Sequence, residues 1–363
     1  MANRITNRQM FFIIILILTT YSTIDLPKIV AQTSGRTSWI PIIVMALIFG
    51  ISAIIITKLN NMHMGQVFFD YSKGIVGKLF TYIIASYYVL YFFIIGIHLK
   101  MKLVGALSAN FLPKTPQFVF LLFAIALFGY VSYKGVTNVA RLVEIYGFLF
   151  LITTVGICIF ILMEGTKYNV LPFFSMSEIK QITYTMKDLI IPYGGTEVLL
   201  VVPFTIQNKK APKVAFFTLL FIGLLYVLIV ESTISVLGIN NTMVLNDSFI
   251  EAIKITTMPI IERLDIFYLT FGLSNLFCGM IIVFTTIVEL ISKILPKVKR
   301  HIIVIALSLL FFSVSLLALK MINIEEMFKT ISVYLALLSS FVIPITLFVI
   351  AKSKKKRRYN EES

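Results

Sequence analysis

Residues 191–197, Ile-Pro-Tyr-Gly-Gly-Thr-Glu, decide the fold, because they interrupt a long apolar segment with a proline, two glycines and a carboxyl group. A similar polar stretch, residues 19–27 (Thr-Thr-Tyr-Ser-Thr-Ile-Asp-Leu-Pro), interrupts the first apolar segment. Unwound backbone is tolerated at membrane depth only where protein buries it or where it lines a watery cavity. Both stretches predict discontinuous membrane helices; the alternative is two ordinary helix kinks.

The composition around these stretches excludes several classes of protein. The chain has 363 residues, of which 58% are apolar and only 13% charged, with a mean hydropathy of +0.95. Soluble domains are about 45–50% apolar and about 25% charged. Half the usual charge cannot cover a soluble surface of this size, which excludes a cytosolic enzyme, a nucleic-acid-binding domain and a disordered protein. The class that remains is an all-α integral membrane protein.

Ten segments are long and apolar enough to cross a bilayer, which takes about 20 residues in a helix. They are 9–31, 37–57, 79–99, 115–133, 145–163, 186–207, 214–237, 266–288, 302–319 and 330–351. The connections leave no room for a soluble domain. The sequence therefore predicts one permease-like transmembrane domain over 1–363, with halves at about 9–163 and 186–351 and a basic tail at 352–363.

The charges predict the orientation of the chain. The formal net charge is +15, and 20 of the 32 Lys and Arg residues fall on one side if the N-terminus is inside. This bias predicts that both termini are cytoplasmic. It also accounts for much of the positive charge, so no nucleic-acid partner is expected. The tail has six basic residues in seven positions, which favours an anchor on anionic membrane lipid; the alternative is a specific partner site.

The two interruptions fall in spans one and six, the corresponding members of two five-span halves of opposite orientation. This pairing predicts a LeuT-like 5+5 inverted repeat with broken helices 1 and 6 and a ligand site at the midplane between them. Spans three and eight add tyrosines and small polar residues, for which packing and helix–helix hydrogen bonds are the alternative explanation. The candidate ligand-binding residues are Tyr21, Ser22, Thr23, Ile24, Tyr87, Tyr91, Tyr193, Gly194, Gly195, Thr196, Glu197, Ser274 and Asn275.

Two carboxyl groups inside spans are candidates for proton-linked roles, because an ionisable residue in a bilayer is expensive and functional by default. Glu197 could bind an amine, carry a proton or hold the broken helix through backbone amides. Glu231 is either a second titrating group or a residue near the outer surface. No H-E-x-x-H, Walker A or G-x-S-x-G motif occurs, and the three histidines lie far apart. We therefore expect no enzyme activity, no metal site and no cofactor.

Five short motifs in order resemble a known family. They are Ile-Asp-Leu-Pro-Lys at 24–28, Leu-Pro-Lys-Thr-Pro at 112–116, the Gly-to-Glu stretch with Val-Ala-Arg-Leu at 135–144, Gly-Thr-Glu-Val-Leu-Leu with a later proline at 195–203, and Ile-Glu-Arg-Leu-Asp at 261–265. With ten spans and a short basic tail, the chain resembles the B subunits of GerA-type spore germinant receptors. These belong to the endospore germination permeases of the amino acid–polyamine–organocation superfamily.

The resemblance implies a germinant-sensing subunit in the spore inner membrane of a bacterium. It would act with an A subunit and a lipoprotein C subunit and bind a small nutrient, commonly an amino acid. Arg141, Glu262, Arg263 and Asp265 match family positions near span ends and would serve structure or subunit contact. At residues 20–23 this chain reads Thr-Tyr-Ser-Thr, where members of that family are often glycine-rich. This difference affects the shape of the pocket and therefore which ligand it binds.

Two other functions fit the same residues. One alternative is a proton- or sodium-coupled amino acid transporter. Another is a water or ion conduit, which can coexist with the sensor.

Overall fold

The protein is helical throughout the part that its computed structural model describes. That part comprises residues 5–22, 25–63, 66–110, 114–171, 179–202, 208–245, 247–256, 264–318 and 324–362. Within these ranges the elements are α-helices, a 3-10 turn at Gly35–Thr37 and a π turn at Leu338–Val342, with no β-strand.

The helices of the two halves follow in chain order. In the first half they are α1 (Asn7–Ser22), α2 (Leu26–Ser34), α3 (Trp39–Met62), α4 (Phe68–Val76), α5 (Lys78–Asn110), α6 (Gln117–Tyr133), α7 (Val136–Glu164) and α8 (Lys167–Val170). In the second half they are α9 (Ile179–Asp188), α10 (Ile190–Tyr193), α11 (Val198–Val201), α12 (Ala211–Val244), α13 (Ser248–Ile255), α14 (Leu264–Ile294), α15 (Arg300–Ala318), α16 (Ile324–Leu337) and α17 (Ile343–Glu362).

Seven of the described helical stretches are long and apolar enough to cross a membrane. They are Trp39–Met62, Lys78–Ser108, Val136–Glu164, Ala211–Val244, Asp265–Ile294, Arg300–Ala318 and Thr330–Lys354. Shorter apolar helices at Asn7–Thr20, Gln117–Tyr133 and Ile190–Val201 lie on the segments predicted as spans one, four and six. The chain is an integral membrane protein with an all-helical fold, as its composition predicts.

The predicted span boundaries differ from the helices at several places. The segment predicted as span one, 9–31, overlaps two helices, α1 and α2. The segment predicted as span six, 186–207, takes in the last residues of α9 and then α10 and α11. The helix α12 runs beyond its predicted end at residue 237, with Gly238 at φ +71 inside it. Apolar content alone does not show this extension, because the added residues follow the kink and include Asn240, Asn241 and Thr242.

The first helix lies in the middle of the bundle. α1 packs against α7, α12 and α14, and α14 also packs against α5, α6 and α7. Large apolar side chains on α6, α7 and α15, such as Phe123, Met163 and Leu309, are exposed and face the surrounding lipid. This arrangement buries α1 among α7, α12 and α14, including Thr19 and Thr20 near its end.

Close packing of α1 on α14 depends on Gly279. A Cβ at Gly279 would lie 2.7 Å from the Cβ of Thr20, closer than real Cβ contacts come. We expect Gly279→Ala to lower the free energy of unfolding by about 1–3 kcal/mol, because the two helices must separate. Thermal unfolding of the purified protein in detergent measures this loss.

Gly156→Ala is the matched control for this prediction. Nothing lies within 4 Å of a Cβ at Gly156, which is also inside a long helix. Alanine is the better helix former by about 1 kcal/mol, so this variant should unfold at the wild-type temperature or above it. Equal unfolding temperatures for both variants would contradict the close approach at Gly279.

Candidate functional site

A tight turn at residues 194–197, Gly-Gly-Thr-Glu, joins α10 to α11. Its Thr196 and Glu197 side chains are fully buried. Gly195 has φ +127, a conformation that glycine adopts without the steric cost other residues carry. A Cβ there would lie 3.2 Å from Ile17 Cγ1, so the bare glycine also lets the turn approach α1. The local sequence thus forms a break in the helix that protein surrounds.

The carboxyl group of Glu197 is the centre of a hydrogen-bond cluster. The Tyr91 hydroxyl donates to Oε1. The Gly195 N–H donates to Oε2 at 3.1 Å, and the Ser340 hydroxyl donates to the same oxygen at 3.0 Å. Glu197 therefore links the turn to α5 and to the π turn that follows α16. The bond to Gly195 is of the kind expected for a residue that holds the broken helix through a backbone amide.

The tyrosines of α5 face this region from one side. Tyr87 and Tyr91 share a helix face as predicted, with rings nearly parallel and centroids 6.4 Å apart. Only Tyr91 reaches Glu197, since the Tyr87 hydroxyl donates to the Leu335 carbonyl at 2.6 Å. Tyr88 donates to the Ser339 carbonyl at 2.9 Å. The α5 tyrosines thus join the Glu197 cluster to the last membrane helix.

The π turn at Leu338–Val342 lies opposite these tyrosines. A π turn leaves backbone carbonyls out of the regular helical pattern and is frequent at functional sites. Here the carbonyl of Ser339 accepts the Tyr88 hydroxyl, while the side chain of Ser340 donates to Glu197. The sequence analysis did not predict Ser340 as a site residue. The pattern that could have indicated it is the pair Ser339 and Ser340 inside an apolar segment.

Three further side chains hold the pieces of the interrupted segment to α3 and α12 through backbone carbonyls. They are Tyr193, whose hydroxyl donates to Ile42 at 2.8 Å, Asn60, whose amide donates to Leu199 at 2.6 Å, and Tyr226, whose hydroxyl donates to Pro192 at 3.0 Å. Asn60 and Tyr226 were not among the predicted site residues. Because carbonyls freed at a break need donors, the bonds to Leu199 and Pro192 stabilise the interrupted backbone, while the bond to Ile42 ties it to α3.

The end of α1 meets α14 through polar side chains. The Asn275 amide donates to Thr19 Oγ1 at 3.1 Å, and the Thr20 hydroxyl lies 3.1 Å from Asn275 Oδ1. Ser274, its neighbour, donates to the Thr270 carbonyl of its own helix. The structure therefore brings Asn275 to the first broken segment and leaves Ser274 apart. Helix–helix hydrogen bonding, the alternative explanation for these residues, describes what Asn275 does.

Four predicted ligand residues of this segment have no described side chain. Tyr21 and Ser22 form the last residues of α1. Thr23 and Ile24 lie outside the described residues, as do Glu262 and Arg263. Their predicted roles stay predictions.

Glu231 lies on α12 away from the Glu197 cluster. It is 8% exposed, its Oε1 is 3.5 Å from the Ser38 hydroxyl, and its Oε2 has no hydrogen-bond partner within the described ranges. Glu231 is therefore a buried carboxyl group beside the start of α3, and its proton-linked role stays a prediction. No hydrogen bond joins Glu231 to Glu197, so the two carboxyl groups belong to separate polar regions.

Charged residues gather where α2, α5 and α13 end or begin. Asp25 pairs with Lys102 at 2.6 Å, and Glu251 pairs with Lys254 at 2.8 Å. Burial raises the pKa of Asp247; nearby Asp25 raises it further, and Lys102 lowers it. Asp25 thus belongs to a partly exposed ion pair with Lys102.

Two of the residues expected to serve structure or subunit contact, Arg141 and Asp265, lie within the described part of the chain. Arg141 is exposed on α7, and Asp265 is buried at the start of α14. In the part of the chain that the structure describes, no three His, Cys, Asp or Glu side chains come together to hold a metal ion.

The arrangement as a whole provides a buried acceptor beside an unused hydroxyl. Thr196 Oγ1, next in sequence to Glu197, is buried and has no hydrogen-bond partner among the residues that the structure describes. A ligand with an ammonium or hydroxyl group has both an acidic partner and a hydroxyl partner here.

Comparison with solved structures places the fold among transporters. A Na⁺-coupled sialic acid symporter, solved in a substrate-bound outward-open state, superposes with a TM-score of 0.64 over 94% of this chain and 80% of that one. The two sequences are 14% identical, so the likeness concerns the fold alone. That symporter has the LeuT fold.

Comparison with protein families is more specific. The model of the family described as spore germination protein matches residues 4–323. Spore germination protein KB of Bacillus subtilis (strain 168) is 22% identical, over 98% of this chain and 96% of its own. Spore germination protein YndE of the same strain is 23% identical, over 98% of both chains, and protein B2 is 23% identical, over 73% of both. The predicted resemblance is confirmed: the chain belongs to the spore germination protein family.

Proposed function

We propose that this protein is the germinant-sensing membrane subunit of a spore nutrient receptor. The observation that carries the proposal is Glu197, fully buried in a helix break and bonded to α5 and to the π turn. A ligand at this carboxyl group changes the contacts of three elements at once. Membership of the spore germination protein family, and similarity to spore germination protein KB, support a role in germination.

The proposed architecture has ten membrane spans in two inverted halves, with broken helices in spans one and six and both termini in the cytoplasm. The halves form one permease-like domain with a basic tail. The interrupted α1–α2 and α9–α11 segments and the fold of the structural neighbour support it. In this architecture the turn at residues 194–197 lies near the midplane.

The proposed ligand is a small nutrient with an ammonium group, most simply an amino acid. Its ammonium bonds Glu197 and replaces one of the three present donors, and the free Thr196 hydroxyl takes a second polar group. Tyr91 and the end of α1 complete the pocket. Binding then favours one packing of the broken helices, and about 3 kcal/mol of differential affinity shifts their balance roughly 150-fold.

The proposed partners are the A subunit and the lipoprotein C subunit of the receptor, in the spore inner membrane. The change in helix packing passes to these subunits and starts germination. The kinship with several spore germination proteins supports this setting. No catalytic residue and no cofactor is part of the proposal.

The alternative is a proton- or sodium-coupled amino acid transporter. Two observations favour it: the fold is that of a Na⁺-coupled symporter, and Glu231 offers a second buried carboxyl group with a free oxygen. A sensor and a transporter share binding and differ in whether the ligand crosses the membrane.

Uptake by the purified protein in liposomes separates the two functions. For a sensor we expect saturable nutrient binding but no accumulation driven by a proton or sodium gradient, because coupling acts on partner subunits. Spores lacking this protein should in parallel lose their response to one nutrient class and recover it on complementation. Gradient-driven accumulation without partner subunits would favour the transporter.

A further inference from the structure

A groove of about 460 Å³ runs between α1 and α12 on the outside of the bundle. Its apolar walls come from Phe11 of α1 and from Val214, Phe217 and Phe221 of α12, and Lys210 and Lys213 lie at its mouth. The Phe11 and Phe221 rings lie 5.8 Å apart and bring the two walls together. The groove is distinct from the Glu197 cluster, which shares none of these residues.

The α12 side of the groove is a single helix face. Its residues follow one another at intervals of three and one, which places them in line along the helix. Thr218, also in the lining, donates its hydroxyl to the Val214 carbonyl, so it offers no free polar group there. The wall is therefore apolar from the lysines inward.

The length of the groove matches one leaflet of a membrane. Lys210 and Phe221 are eleven residues apart, which is about 16 Å along a helix. The hydrocarbon core of a bilayer is about 30 Å thick, so one leaflet is about 15 Å. With the lysines at headgroup depth, Phe221 lies near the bilayer centre.

The charge at the mouth is positive and uncompensated. Neither lysine makes an ion pair in the described part of the chain, and no acidic residue lines the groove. Both lysines stand at the N-terminal end of a 34-residue helix, whose dipole adds positive potential there. An anion at this mouth meets two ammonium groups and a helix terminus of the same sign.

We infer that this groove is a binding site for an anionic glycerophospholipid. The phosphate headgroup binds Lys210 and Lys213, and one acyl chain lies along the phenylalanine wall. The bound lipid bridges α1, the first part of the interrupted span, and α12, which carries Glu231. A transmembrane helix of a partner protein fits the groove less well, because it gives the two lysines no counter-charge.

Native mass spectrometry of the full-length purified protein tests the site. The probes are phosphatidylglycerol and phosphatidylcholine with the same acyl chains. We expect preferential retention of phosphatidylglycerol, weakened roughly 30-fold in the double variant Lys210→Gln, Lys213→Gln. The control, Lys297→Gln with Lys299→Gln, removes the same charge from exposed lysines outside the groove and should bind like wild type.

A second variant keeps the charge and fills the apolar part. Val214→Trp should reduce retention of phosphatidylglycerol although both lysines remain. Thermal unfolding shows beforehand that each variant is folded. The assignment would be overturned if the protein retained both lipids equally, or if the lysine double variant and its control lost binding equally. It would also be overturned if Val214→Trp bound phosphatidylglycerol as wild type does, or if excess inorganic phosphate displaced the lipid.

Discussion

Replacing Glu197 by glutamine is expected to abolish the nutrient response while the protein stays folded. A glutamine can turn its oxygen toward the Gly195 N–H and the Ser340 hydroxyl and its NH₂ toward the Tyr91 hydroxyl, which also accepts. The hydrogen bonds survive, but the group can no longer carry a negative charge. Spores should need about 100-fold more nutrient, or fail to respond, because a charged contact to the ligand ammonium is lost.

Glu197→Ala separates the structural role from the binding role. Alanine leaves three buried donors without an acceptor, which we expect to cost about 3–5 kcal/mol of unfolding free energy. Glu251→Gln makes the same atomic change as Glu197→Gln at a partly exposed carboxyl group paired with Lys254, and should respond normally. A normal response in Glu197→Gln spores, with failure only in Glu197→Ala, would show that Glu197 merely holds the helix.

Substitution of Gly195 by alanine should have the second large effect. Its φ of +127 disfavours any residue with a Cβ, at about 1–3 kcal/mol. The new Cβ would also press on Ile17 of α1 at 3.2 Å, and overpacking adds about 1–3 kcal/mol. We expect unfolding at a clearly lower temperature and loss of the nutrient response.

The neighbouring glycine provides the control for this substitution. Gly194 has φ −69 and ψ 147, which any residue adopts, and the nearest atoms to its Cβ are carbonyl oxygens at 3.4 Å. Gly194→Ala should therefore stay within about 1 kcal/mol of wild type. Thermal unfolding in detergent and spore response should be measured for both variants. The same unfolding temperature for both would contradict a special backbone at position 195.

The sequence predicts the location of the break but not the contacts that surround it. Proline, paired glycines and a carboxyl group within one apolar segment are local signals, and the turn lies where they indicate. Ser340 lies 143 positions from Glu197 and Tyr91 lies 106 positions away. Tyr91 was predicted from its shared face with Tyr87, whereas nothing local connects Ser340 with Glu197.

The adjacent residues Ser274 and Asn275 also show that tertiary contacts cannot be predicted from local sequence. Ser274 and Asn275 are equivalent in sequence, as two small polar residues in one apolar run. In the helix they point about 100° apart, so only Asn275 meets α1. The rotation of α14 about its axis decides which of the two residues meets α1, and that rotation is set by packing against α1, α5, α6, α7 and further helices.

By itself the sequence determined the membrane class, the family and the place where the apolar helices are interrupted. These are properties of consecutive residues, since hydrophobic length and backbone freedom depend on local composition. The tertiary structure alone decided which groups bond Glu197, which of two adjacent polar residues reaches α1, and where the lysines of α12 stand over an apolar groove. These depend on the rotation and depth of each helix, which are set by packing between segments far apart in the chain.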